Sequence, residues 1–144
     1  MRYALALFVL VLAPALSAQQ KAATTCTWLS PDEASAVIGA AVKLQMAVED
    51  GACVYVSGPV QLQIARPARL RDTRAMQMGF NSMKQDRKGQ DEPGIGDSAF
   101  VAANNREIAF VKGDAFVVIT VTGEGAESRL RALKDAVRKI AERF

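Results

Sequence analysis

From residue 28 onward the apolar positions follow two rhythms. In TWLSPDEASAVIG, Leu29, Ala34, Val37 and Ile38 fall on one side of a helical repeat. Ser30 before Pro31, with Glu33 three residues after the serine, forms an N-cap, a first-turn proline and a capping box, and Gly39 suits a left-handed stop. The period then drops to two. Val42, Leu44, Met46 and Val48 alternate with Lys43, Gln45 and Ala47, which predicts a half-buried strand with the first set inward. Glu49, Asp50 and Gly51 make a turn, a second strand runs from Cys53 to Val56, and Ser57, Gly58 and Pro59 break it. A third strand turns Val60, Leu62 and Ile64 inward and Gln61 and Gln63 outward.

Helical spacing returns at Leu70, Thr73, Met76, Phe80 and Met83, predicting an amphipathic helix over residues 68–87, opened by Pro67 and weakened at Gly79. Its methionines admit an adaptable binding face, but the expectation is a helix that packs on a sheet. GQDEPGIGD reads as a loop. SAFVAA, REIAFVK and AFVVITVT then form a three-stranded meander with turns at Asn104–Asn105 and Gly113–Asp114, closed by Gly123. The last helix aligns Leu130, Leu133, Val137, Ile140 and Phe144 on one face. The order α–β–β–β–α–β–β–β–α predicts an α+β fold, an antiparallel sheet of about six strands with flanking helices on one face.

The first 18 residues change the picture of where this fold works. Arg2, an apolar run from Ala4 to Ala13, then Pro14 and small residues have the layout of a signal peptide. Cleavage is expected after Ala18, with Ala15 the second choice, because the apolar run is shorter than the roughly 20 residues of a membrane span. Residues 19–144 would then be one domain. Export turns the pair Cys26 and Cys53 into an expected disulfide, since their spacing is far from C-x-x-C and no histidine is available to activate a thiolate. With Arg2 removed, the 18 basic side chains become 17 against 15 acidic ones, a nearly even balance that calls for no nucleic-acid partner.

A chain with no histidine offers no Ser-His-Asp triad, imidazole shuttle or histidine metal ligand. No catalytic, cofactor or metal residues are assigned. The loop containing Asp91, Glu92 and Asp97 lacks the lysine and hydroxyl of a phosphate loop and the strand-then-helix setting of a dinucleotide fingerprint. It has too few alternating oxygen ligands for a calcium loop. It is expected to be a turn, with Pro93 stiffening it, Gly94 and Gly96 at positive φ, and Asp97 capping the backbone. The basic residues of RPARLRDTR and of the last helix, among them Arg131, Lys134 and Arg138, are interspersed with acids and read as a solvated face rather than a membrane-binding one.

The last two strands are apolar on both sides. Val117, Ile119 and Val121 alternate with Phe116 and Val118, and Ile108 and Phe110 alternate with Ala109 and Val111. Antiparallel sheets usually keep one polar face. The second face therefore needs cover from the first helix, a second copy, another protein or an apolar ligand. Phe110, Phe116 and Val118 are the candidate binding surface.

Several short motifs occur together: a cysteine before the S-P-D-E-A-x-x-V-I-G helix of residues 30–39, CVY at Cys53 to Tyr55, GIGDSAF at residues 94–100, VKGD at residues 111–114, and a terminal V-x-I-x-V strand and helix. The pattern resembles small exported bacterial domains of unknown function, found as lipoproteins and secreted proteins and similar to extracytoplasmic sensor-type domains. The resemblance implies an exported binding or sensing module with one disulfide, and brings no catalytic residues. The residues before Cys26 stand clear of the apolar run, unlike a lipid-attachment site, so free periplasmic or secreted residence is expected. The functional expectation is a non-enzymatic module for a small ligand or an envelope protein, with a homodimer also admitted. The alternative is an envelope-polymer hydrolase using Asp91, Glu92 or Asp97.

Overall fold

The computed structural model describes residues 25–49, 51–66 and 72–144. The expected signal peptide, Asp50 and the segment 67–71 lie outside the described residues. Helix α1 (Pro31–Ile38) begins as its sequence dictates: the Ser30 hydroxyl accepts from the Glu33 amide at 3.2 Å, and the Glu33 carboxylate accepts from the Ser30 amide at 2.9 Å. Gly39 ends it at φ 78°.

Seven strands follow in one antiparallel sheet: β1 (Lys43–Val48), β2 (Ala52–Ser57), β3 (Val60–Ala65), β4 (Gln90–Asp91), β5 (Ser98–Val101), β6 (Glu107–Lys112) and β7 (Ala115–Thr122). Their spatial order is β1-β2-β3-β7-β6-β5-β4, so the two meanders meet where β3 pairs with β7. The α+β architecture and the element order agree with expectation. The additional strand is β4, whose Gln90 and Asp91 pair with Val101 and Phe100 at the start of the expected loop.

Helices α1 and α3 (Leu130–Ala141), the latter entered through a 3-10 turn at Ala126–Arg129, cover one face of the sheet. Tyr55, Leu62, Ile64, Ile108, Phe110 and Ile119 fill the interior beneath them, and each buried side chain of this size contributes about 1.5–3 kcal/mol. Helix α2 (Thr73–Asp86) lies on the other face, contrary to the expectation that all helices share one side. Its Met76 and Phe80 pack with Phe100, Ala109, Val111 and Phe116. The strand alternation explains this placement. Phe100, Ala109 and Phe116 point away from α1 and α3, and the apolar stripe of α2 is what covers them.

Strand β1 departs from strict alternation. A bulge between Leu44 and Met46 reverses the phase, so Leu44 packs against the core, Met46 turns to the opposite face, and Ala47 becomes the buried residue. Met46 is thus 43% exposed where period-two reading turned it inward.

Cys26 and Cys53 form the expected disulfide, fastening the segment before α1 to β2. Trp28, in the same core cluster as Cys53, has its nearest aromatic neighbour in Phe144 at 5.6 Å between ring centroids. The chain terminus is fastened to the same segment. Arg143 donates to the Trp28 carbonyl, and its other terminal nitrogen reaches the Glu33 carboxylate at 2.5 Å. These bonds hold the Glu33 pKa down from 4.5 to about 2, the Arg143 hydrogen bond being the largest cause and the Ser30 amide the next.

The sign of the resulting pH dependence follows from that lowering. Stability contributed by ionised Glu33 is complete above the unfolded pKa of 4.5 and is lost as pH falls through about 2. Glu33→Gln keeps a side chain able to cap Ser30 but removes the charge, at a cost of about 1 kcal/mol near neutral pH. Chemical unfolding across this range checks it: the difference between wild type and variant shrinks with acidification, and a constant difference rules the charge contribution out.

Candidate functional site

The 91–97 loop folds as a turn. Gly94 and Gly96 have φ of 81° and 56°. A Cβ on Gly96 would stand 2.5 Å from the Val111 carbonyl oxygen, so only glycine permits this approach. The Asp97 amide donates to that same carbonyl at 2.8 Å, and the Asp97 carboxylate accepts from the Gly113 amide at 2.7 Å. The GIGD and VKGD motifs are therefore two halves of one clip that holds the loop on the β6–β7 hairpin.

Each acid of the loop is committed to a partner. Asp91 pairs with Lys84 at 2.6 Å, and Glu92 pairs with Lys134 at 2.6 Å and Arg138 at 3.3 Å. The Gly113 amide, with Lys112 adding to it, lowers the Asp97 pKa. A general acid for glycoside cleavage needs the opposite shift. The pairs with Lys134 and Arg138 also tie α3 to the loop, and the stripe of Leu133, Val137 and Ile140 is buried against the sheet.

Phe110, Phe116 and Val118 do not make one surface. Phe110 is fully buried under α3, 6.0 Å from the Phe144 ring, on the face shared by Ile108 and Val117. Phe116 lies on the opposite face beneath α2, edge-on to Phe80 at 5.9 Å. Val118 is half-buried at the margin of that cluster. The reason is the register: Phe110 stands opposite Val117, whereas Phe116 stands opposite Val111.

The cover that α2 provides ends at β7. Beyond it, across β3, β2 and β1, the second face carries Gln61, Gln63, Val54, Val56, Lys43 and Met46. Among the described residues no helix forms a core cluster on this half. It holds a shallow hollow of about 410 Å³, open to solvent and lined by Gln45, Met46, Val54 and Gln61. The sequence hid this site for a specific reason. Gln61 and Gln63 look like an ordinary solvated face, and only the β1 bulge brings Met46 onto it.

No protein-family model, curated protein or solved structure matches this chain. The site must therefore be read from its own chemistry. Aliphatic side chains and amides on a flat sheet suit an extended polypeptide better than an enclosed small molecule, which generally needs a concave pocket burying most of its surface. Among the described residues no cluster of three Cys, Asp or Glu side chains is placed to hold a metal ion.

Proposed function

We propose that this protein is an exported, non-enzymatic binding or sensing module, and that the open β1–β3 half of the second sheet face is its docking surface for an envelope protein. The observation that carries this reading is the incomplete cover among the described residues. α2 closes only the β5–β7 half, and Met46 stays 43% exposed beside buried Val54. The disulfide is consistent with an extracytoplasmic protein, and the N-terminal residues have the layout that would direct it there. The hydrolase alternative has less support, because the carboxylates it requires are held in ion pairs and turn contacts.

Strand spacing of about 4.8 Å and a rise of about 3.4 Å per residue make the open half roughly 15–20 Å on each side, or about 300–400 Å². A stable globular interface buries about 800 Å² per partner, so the surface fits an extended segment or a transient contact rather than a tight globular complex.

A photo-crosslinking residue placed at Gln61 in cells is expected to give a discrete adduct that Met46→Asp abolishes. The same probe at Lys139, on the opposite helical layer, is expected to give none. Identical adducts from both positions, or none from Gln61, would refute the reading.

A further inference from the structure

Glu107 is the one acid among the described residues that is buried, at 8% exposure. Its pairing is incomplete. Oε2 accepts from the Thr120 hydroxyl at 3.4 Å, a long contact. Oε1 accepts no hydrogen bond: Arg87 Nε lies 3.2 Å away, but its N–H is not directed at the oxygen. Other acids here are better served. Glu33, Glu92, Asp91 and Glu127 each hold a cation at 2.5–2.9 Å.

The arginine facing Glu107 is anchored by its backbone and loose at its tip. The Arg87 amide caps α2 by donating to the Met83 carbonyl at 2.9 Å, and its own carbonyl accepts from Ala103 at 3.1 Å. Its side chain is 54% exposed. A buried carboxylate with an off-line counterion forgoes the roughly 1.5–3 kcal/mol that a well-aligned charged hydrogen bond contributes.

Register places this acid at the end of a line across the sheet. Glu107 stands opposite Thr120, Thr120 opposite Gln63, Gln63 opposite Val54, and Val54 opposite Met46. All five side chains lie on the second face. The line runs from a carboxylate, through a hydroxyl and an amide, to the apolar hollow. Four strand spacings span about 19 Å, close to the rise of about six extended residues, an even number that leaves both end side chains on one side of the segment.

We propose that this line is a docking strip for an extended protein segment carrying a basic side chain, with Glu107 as its anchor and Arg87 as the group the incoming cation displaces. An apolar side chain an even number of residues from the basic one, about six, faces the same way and fills the hollow at Met46 and Val54, and Gln63 and Thr120 meet the polar groups between. The inference rests on the open face being the docking surface, and adds the chemistry of what docks.

The probe is an end-blocked peptide of about seven residues with arginine at one end, leucine at the other and serine and alanine between, so that both end side chains face the same way when it is extended. A second peptide carries neutral citrulline in place of arginine, and each is made in both orders. In amide chemical-shift titrations the arginine peptide is expected to shift Glu107, Thr120, Gln63 and Val54, and to bind about tenfold more tightly than the citrulline peptide, as one aligned charged hydrogen bond would give. Glu107→Gln should abolish the difference. Arg87→Ala, on the surface, should tighten binding of the arginine peptide by removing its competitor, whereas a merely structural arginine would give weaker or unchanged binding.

Equal shifts at Met46 and Val54 from both peptides would overturn the anchor and leave the open-face reading standing. Binding by neither peptide would overturn the inference, while the open-face reading would still be judged by the adduct at Gln61.

Discussion

Replacing Cys26 and Cys53 by serine is expected to lower the unfolding free energy by about 3–4 kcal/mol. The bond closes a loop of sequence separation 27, and cutting it returns that loop's conformational freedom to the unfolded chain. The folded state has reasons of its own to loosen. The segment after Cys26 carries Trp28 and Leu29 into the core, and the Leu29 carbonyl accepts from the Tyr55 hydroxyl. Arg143 holds the same segment through the Trp28 carbonyl. With the disulfide gone, these contacts must order the segment unaided. Urea unfolding of oxidised wild type, reduced wild type and the double-serine variant checks this. Reduced protein and variant should agree, both well below the oxidised form, and a loss under about 1 kcal/mol would mean the segment is held by its other contacts.

Phe80→Ala is expected to cost about 3–5 kcal/mol, and its effect should concentrate in α2. Met76 and Phe80 are the only residues buried within that helix, against five in α3. Phe80 makes both ring contacts that join α2 to the sheet, with Phe100 at 5.2 Å and Phe116 at 5.9 Å. Removing it leaves the helix attached chiefly through Met76 and half-buried Met83. Amide exchange should therefore accelerate across Thr73–Asp86 while β6 and β7, held from the other side by α3 and its 3-10 turn, retain their protection. Apolar dye binding should rise as Phe100 and Phe116 meet water. If α2 remains as protected as in wild type, the helix is held by contacts other than this cluster, and the second face is less dependent on it than the packing indicates.

Local chemistry was the readable part of this sequence. Ser30, Pro31, Glu33 and Gly39 act within a few residues of one another, so α1 could be bounded without knowing its surroundings. The same holds for the Asn104–Asn105 turn, where Asn105 takes φ 58° and Asn104 accepts from the Arg106 amide. The two alternating faces of β6 and β7 were also legible, because period two is a property of a single strand. The side of the sheet chosen by each helix was not. The stripe of α2 is the same whichever face it covers, and the choice depends on where β3 and β7 pair.

The half of the second face that no described helix covers, and the state of Glu107, belong to this second kind. In the chain, Glu107 is one acid at the start of a strand. It becomes buried and incompletely paired because β6, β7 and the end of α2 converge on it from residues 87, 107 and 120. Likewise Met46 reaches the second face through one bulge that alternation cannot register.

By itself, then, the sequence determined the capped helix, the periodicities of β3, β6 and β7, the turns, the cysteine pair and the α+β class, because each depends on spacing along the chain. The tertiary structure alone decided which helix covers which face, which half of the sheet no described helix covers, and which acid is left with an off-line cation. Those outcomes depend on strand order and register, which bring together residues that no local pattern connects.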